Sequence, residues 1–390
     1  MMEAKQRKKL LLLTLVHPDF LPPVYAIAQT LRDFNYDVHI LTFDSLVPSD
    51  FNPGAHISVE PLGQHHKVGT LERFKLKGKF SGRVKQLVND APQAIIAFCP
   101  FSYLQAIKHH GEIPVCYVAM EIANYSFEGF KRSPFTQLGN YRAIKQLHKA
   151  AFLANPSVQR SAWMAGRANL QNMPFTILNT SYYEPKHESN SVETFRNLLP
   201  LDYHDKQIIL YTGNVNYMLC VKELVQAFVL LDNANTRLVV TGMKDNDYCN
   251  EIRQIAASHR CPEHIKLLPY VTRNELIALQ ENSHVGACLF REESKTINAK
   301  MIAPNKLGEY LNKGLFVVGV RSEFMMQFEH AGVAYLAAGT QPVDITEELK
   351  RAVATTSNNS FKARISSFIQ NEFCMQQQAK PLIHFLSTLK

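Results

Sequence analysis

Short apolar runs alternate along the whole chain with longer stretches in which apolar positions recur every three or four residues. The runs read as strands: Leu10–Val16, Val38–Phe43, Ile57–Leu62, Ala94–Cys99, Val115–Met120, Ala151–Ala154 and Phe175–Leu178 in the first half. In the second half they are Ile208–Thr212, Leu238–Thr241, Ile265–Leu268, Val285–Leu289, Leu315–Val320 and Ala334–Leu336. Unbroken apolar runs of this kind suit strands covered on both faces. The periodic stretches read as helices, among them Pro22–Asn35, Phe135–Lys149, Val221–Leu231, Tyr248–Ser258, Arg273–Asn282 and Asn305–Leu311. Thr272 and Glu275 form a capping-box pattern at one helix start. The alternation predicts an α/β fold of two doubly wound, Rossmann-like parallel sheets in series, facing a cleft. Ser181–Asp205 is polar and poor in strand pattern, so it marks the boundary. Ligands in such sheets bind beyond the strand carboxyl ends.

Composition narrows the class. The chain has 390 residues, 46% hydrophobic and 19% charged, enough for two globular domains. Seven scattered cysteines with no CxxC pair favour a reducing compartment and argue against structural zinc. The apolar run after the basic start stops at His17-Pro18-Asp19 with no cleavage site following, so it reads as a buried strand rather than a signal peptide. A cytoplasmic protein is expected. Residues 1–180 hold 20 Lys/Arg against 12 Asp/Glu and account for the entire net charge of +8. Part of that excess lies in Lys67–Lys85, with apolar residues between the cations. This pattern fits peripheral contact with an anionic membrane surface at its inner face, or equally a solvated helix face. No nucleic-acid-binding motif accompanies it.

The most specific motif is PNKLGEYLNKG, Pro304–Gly314, running into LFVVGV. Proline suits a helix start, and a glycine suits its end before a buried strand. Asn305 and Lys306 then sit at the positive end of the helix, with Glu309 one turn on along the same face. An amide, an ammonium and free N–H groups suit anionic oxygens, and the carboxylate suits a diol. A nucleoside diphosphate offers both. Two further loops follow strands: Thr212-Gly213-Asn214 and Thr241-Gly242. Glycine there lets backbone approach an anion closely.

These stretches resemble the donor-binding domain of the GT-B glycosyltransferases, particularly the retaining group 1, or GT4, family. The resemblance is specific over residues 205–320 and looser elsewhere. It implies an acceptor-binding domain over 1–183, a linker over 184–205 and a nucleotide-sugar donor domain over 206–360, with 361–390 crossing back onto the first domain. It implies that Glu309 holds the donor ribose and that Asn305 and Lys306, Lys306 in a catalytic role, hold the diphosphate. Leu307, Thr241 and Gly242 join the donor-binding set, Gly213 and Asn214 face the phosphates and the sugar, and Tyr270-Val271 line the nucleobase. A hexose-type sugar from UDP is the first expectation and from GDP the second, without a metal cofactor. The chain departs from the family in three places. Met301 stands where many members carry a first glutamate, and Asn214 and Leu219 stand where an Arg and a Lys are usual. Arg291, Lys295 or Lys300 are the candidates to replace those cations, from a loop (291–303) long enough to close over the donor. Asp245-Asn246-Asp247 spells a metal-binding DxD, but its turn-rich setting favours a backbone role.

On the acceptor side, His17 and Asp19 follow the first strand, where a plain turn is equally expected. Glu121 follows Val115–Met120 and is the candidate general base of an inverting reaction, or a sugar-orienting group of a retaining one. The acceptor is expected to be a glycan, lipid-linked or small molecule. Two rival readings are a degenerate member that binds nucleotide or glycan as a partner protein, and a nucleotide-sugar epimerase of the same architecture.

Overall fold

The structure is a computed structural model and describes residues 6–43, 52–64, 68–184, 191–291, 301, 303–358 and 360–389. It divides into two compact units, residues 1–182 with 375–390, and residues 183–374.

The first unit is a seven-stranded parallel sheet: β1 (Lys8–Leu13), β2 (Tyr36–Thr42), β3 (Ile57–Pro61), β4 (Ala94–Ala97), β5 (Val115–Val118), β6 (Phe152–Asn155) and β7 (Phe175–Thr176). The order β3-β2-β1-β4-β5-β6-β7 reverses direction between β1 and β4. Side chains alternate faces along a strand, and the four leucines of β1 show why its last four positions are all apolar. Leu10 and Leu12 pack with helix α1 (Pro22–Asp33) and with Met375, Leu382 and Leu386 from the end of the chain. Leu11 and Leu13 pack on the other face with Phe80 and Val84 of α2 (Thr70–Val88) and Tyr103 and Ala106 of α3 (Pro100–His109). Short helices α4 (Phe127–Arg132) and α5 (Pro134–Lys145) follow β5, and α6 (Val158–Ala168) follows β6.

The second unit repeats the plan with six parallel strands: β8 (Gln207–Tyr211), β9 (Thr236–Val240), β10 (Ile265–Leu267), β11 (Val285–Cys288), β12 (Phe316–Val320) and β13 (Ala334–Ala337). Their order β10-β9-β8-β11-β12-β13 reverses between β8 and β11. The crevice at such a reversal is where ligands sit in open parallel sheets. The helices that matter to the site are α7 (Ser191–Leu198), α8 (Val221–Leu231), α9 (Asp247–Ala257), α10 (Arg273–Glu281) and α11 (Asn305–Asn312).

Two features differ from the sequence expectation. The stretch 184–205 contains α7, which buries Phe195 and is grouped with the second unit. Residues 361–374 are also grouped with that unit, because Phe361, Ile365 and Ile369 are buried and Phe361 meets Phe316 edge-on. Residues 375–390 are grouped with the first unit.

Candidate functional site

At the carboxyl end of the second sheet, three loops are laced together through their backbones. Thr241 N–H donates to Tyr211 O at 2.9 Å, Gly242 N–H to Pro269 O at 3.1 Å, and Met243 N–H to Leu268 O at 3.0 Å. Gly213 and Gly242 both adopt positive φ, +110° and +92°. A Cβ on Gly242 would lie 1.8 Å from the Gly213 carbonyl oxygen, so no other residue fits there. The two glycine loops picked out in the sequence therefore touch.

Three side chains meet over these loops. Lys244 Nζ donates to Asn214 Oδ1 at 2.6 Å, and the Tyr270 hydroxyl lies 3.4 Å from the same oxygen. Lys244 Nζ is also 5.8 Å from the centre of the Tyr270 ring, which is 59% exposed. Val271 beside it is half-buried.

Helix α11 begins after β11, at the reversal point. It is anchored from below by Tyr310, whose oxygen accepts from Thr212 N at 2.8 Å and Thr212 Oγ1 at 3.1 Å. Gly286 on β11 makes room for that ring, since a Cβ there would come within 2.4 Å of it. The anchoring sets the first turn of α11 next to the Gly213 loop. Asn305 opens the helix and is half-buried. The Lys306 stem is partly exposed, but its ammonium is buried and has no hydrogen-bond partner among the described residues. It lies 3.9 Å from the centre of the Tyr211 ring and 5.8 Å from that of Phe290. Burial pulls its pKa down to about 8, against the opposing pull of Cys288 and Glu309. Such an ammonium is held ready for an anion rather than neutralised by the protein.

Glu309 is nearly buried and accepts from Arg273 Nη1 at 2.6 Å. Arg273 opens α10 as the first residue after the N-cap Thr272, within the Thr272–Glu275 capping box. A carboxylate offers about four acceptor positions, so this ion pair leaves room for sugar hydroxyls.

Other expectations need correction. Leu307 points inward and is fully buried with Leu311, so its side chain serves the core. Arg291 does not supply a replacement cation. Its guanidinium pairs with Glu223 of α8, donates to Tyr217 O at 3.1 Å and stacks 4.0 Å over the Tyr217 ring. Lys295 and Lys300 lie outside the described residues, as does Lys67 at the start of the basic stretch. Asn246 caps α9 by accepting from Cys249 N at 2.9 Å, with Asp247 in the first turn, so the DxD string has a local backbone role. Elsewhere in this unit, ligand atoms of Cys261, Glu263 and His264 come within 4.8 Å of one another before β10, at the opposite end of the sheet from the glycine loops.

In the first unit the corresponding reversal, between β1 and β4, places the His17–Phe20 turn beyond β1. His17 Nδ1 accepts from Asp19 N at 3.3 Å, which is the plain-turn role. Glu121 is exposed beyond β5. Beside it the buried Arg160 donates to Met120 O at 2.9 Å, and burial lowers its pKa to about 10 while Glu121 pulls the other way. Arg160 and Lys244 had no motif to announce them, while Arg273 and Tyr310 lay unremarked inside motifs picked out for other residues.

Two doubly wound sheets of this order define a GT-B architecture, and the paired glycine loops and lysine-bearing helix start lie at the reversal point of the second sheet. Residues 200–357 match the family described as glycosyl transferases group 1. Among solved structures, sucrose-phosphate synthase from Thermosynechococcus elongatus is similar at TM-score 0.68 and 14% identity, covering 98% of this chain and 100% of that one. HepE from Anabaena in complex with UDP and glucose is similar at TM-score 0.67 and 15% identity, over 98% and 100%. A putative UDP-N-acetylglucosamine 2-epimerase from Listeria monocytogenes is similar at TM-score 0.61 and 12% identity, over 98% of each. A search of curated proteins found no match.

Proposed function

We propose that this protein transfers a hexose-type sugar from a UDP-sugar to a glycan, lipid-linked or small-molecule acceptor in the cytoplasm, without a metal and with retention. The observation that carries the reading is the buried, unpartnered Lys306 ammonium at the first turn of α11, beside the joined glycine loops. The bond from the anomeric carbon to the diphosphate breaks, and charge builds on the leaving oxygens. Lys306, Asn305 and backbone N–H groups stabilise that charge in a site of low dielectric. Glu309 holds the ribose hydroxyls, and the exposed Tyr270 ring with Val271 carries the base. The acceptor hydroxyl bonds to the anomeric carbon, and its proton passes to the leaving diphosphate. In an inverting course Glu121 takes that proton instead. The presence of UDP in the HepE complex favours UDP over GDP as the donor nucleotide.

A second reading is a degenerate member that binds nucleotide or glycan without turnover. It draws on Asn214 and Leu219 and on the engagement of Arg291 with Glu223. An epimerase is a third, more distant reading. Incubation with several nucleotide sugars separates the three. Slow release of free UDP without acceptor supports the transferase, interconversion of sugars supports the epimerase, and calorimetric binding without turnover supports the partner protein. No binding of UDP or GDP refutes the site.

A further inference from the structure

Helix α2 changes character along its length. Its carboxyl half buries Phe80, Val84 and Leu87 against the first sheet, at the spacing of one helical face. Its amino half leaves Leu71 72% and Phe74 48% exposed. The start of α5 does the same, with Phe135 70% and Leu138 38% exposed. The Phe74 and Phe135 rings meet edge-on with centroids 5.4 Å apart, so the two helices present one apolar patch rather than scattered residues.

The patch is surrounded by cations. Helix α2 carries six Lys/Arg and a single acid, Glu72. Helix α5 carries Arg142 and Lys145 and no acid, and Lys131 and Arg132 are exposed just before it. Arg83 pairs with Glu60, at the carboxyl half of α2 and away from the exposed apolar tips.

We propose that this α2–α5 face seats the protein on an anionic bilayer, with Leu71, Phe74, Phe135 and Leu138 entering the interface and Lys75, Lys79 and Arg132 meeting lipid headgroups. Apolar tips within a basic rim are what such a surface selects. A second copy of the chain is a poor occupant, because an isologous contact sets cations against cations. Nucleic acid explains the cations but gives the aliphatic tips nothing to enter. The inference concerns the first unit alone and does not depend on the nucleotide reading.

The test is co-sedimentation with vesicles of phosphatidylcholine, with and without phosphatidylglycerol. Wild type is expected to pellet with the anionic vesicles and to be released by salt. Each cation removed is expected to weaken partitioning about five-fold, so Lys75→Ala with Lys79→Ala weakens it about 25-fold. Leu71→Ser with Phe135→Ser is expected to abolish the part that resists salt. All variants are expected to keep the wild-type melting temperature and UDP affinity, since all four changed positions are exposed. Failure of wild type to bind anionic vesicles overturns the proposal. So does equal binding to neutral vesicles, indifference to these substitutions, or preference for a single-stranded oligonucleotide over the vesicles.

Discussion

Lys306 offers the sharpest test, because a buried charge without a partner is costly to the empty protein. Its ammonium lies over the Tyr211 ring at 3.9 Å and has no hydrogen-bond partner among the described residues. Lowering its pKa from 10.5 to about 8 corresponds to about 3 kcal/mol between the two protonation states. Between those two values the unfolded chain holds a proton here that the folded chain lacks. This group therefore adds stability as pH rises across that window, and its full penalty applies below about 8. Replacing it with an uncharged side chain of similar length removes the penalty. After deducting the lost cation–π attraction, Lys306→Met is expected to stabilise the empty protein near neutrality by about 1–3 kcal/mol. The same change removes a charge-assisted contact to the diphosphate and is expected to weaken UDP binding by about 1.5–3 kcal/mol, or about 10- to 150-fold. For wild type, UDP affinity is expected to fall as pH rises through 8, since the anion favours the protonated amine. Urea melts of both proteins at neutral pH and well above pH 8, with calorimetry of UDP at each, read all of this. The stability gap between variant and wild type is expected to narrow at the higher pH. A variant that is less stable at neutral pH yet binds UDP as wild type does refutes the reasoning.

Glu309→Ala is expected to weaken UDP binding by about 1.5–3 kcal/mol, and unchanged affinity by calorimetry removes Glu309 from the ribose site. Gly242→Ala places a Cβ 1.8 Å from the Gly213 carbonyl at a φ of +92° and is expected to cost about 3 kcal/mol or more in denaturant melts, with loss of UDP binding. Chelating divalent ions is expected to leave sugar transfer at its full rate, whereas loss of activity on adding EDTA would bring Asp245 and Asp247 back into the site.

The central strands were legible because they are covered on both faces, as Leu10–Leu13 and Ile208–Tyr211 illustrate, and continuous apolar runs carry that information locally. The glycine loops and the start of α11 were legible because φ and helix-end preferences also act within a few residues. The inward orientation of Leu307 was readable too, since 307 and 311 share a helical face, but the motif drew attention to the whole string. The pairings that finish the site were not readable. Arg273 and Glu309 are 36 positions apart, and Arg291 and Glu223 are 68 apart. Each pair meets only because the sheet sets its loops side by side, and local pattern does not encode loop-to-loop registry. The stretch 361–374 was assigned to the other unit for a similar reason: the division at Met375 depends on which sheet each apolar face finds, not on the faces themselves.

The absence of a cation at Asn214 looks different once those loops are in place. An arginine there would compete with Lys244 for the same space, because Lys244 Nζ lies 2.6 Å from the Asn214 side-chain oxygen. Asparagine is neutral but accepts hydrogen bonds, so it can hold an ammonium that a second cation would repel. Tyr270 adds its ring face to the same ammonium at 5.8 Å. The loop after β8 therefore carries no charge of its own, yet positive charge stands over it, supplied by the loop after β9. Net charge at a site is a property of the surfaces brought together there, and a residue-by-residue comparison at Asn214 alone misses it.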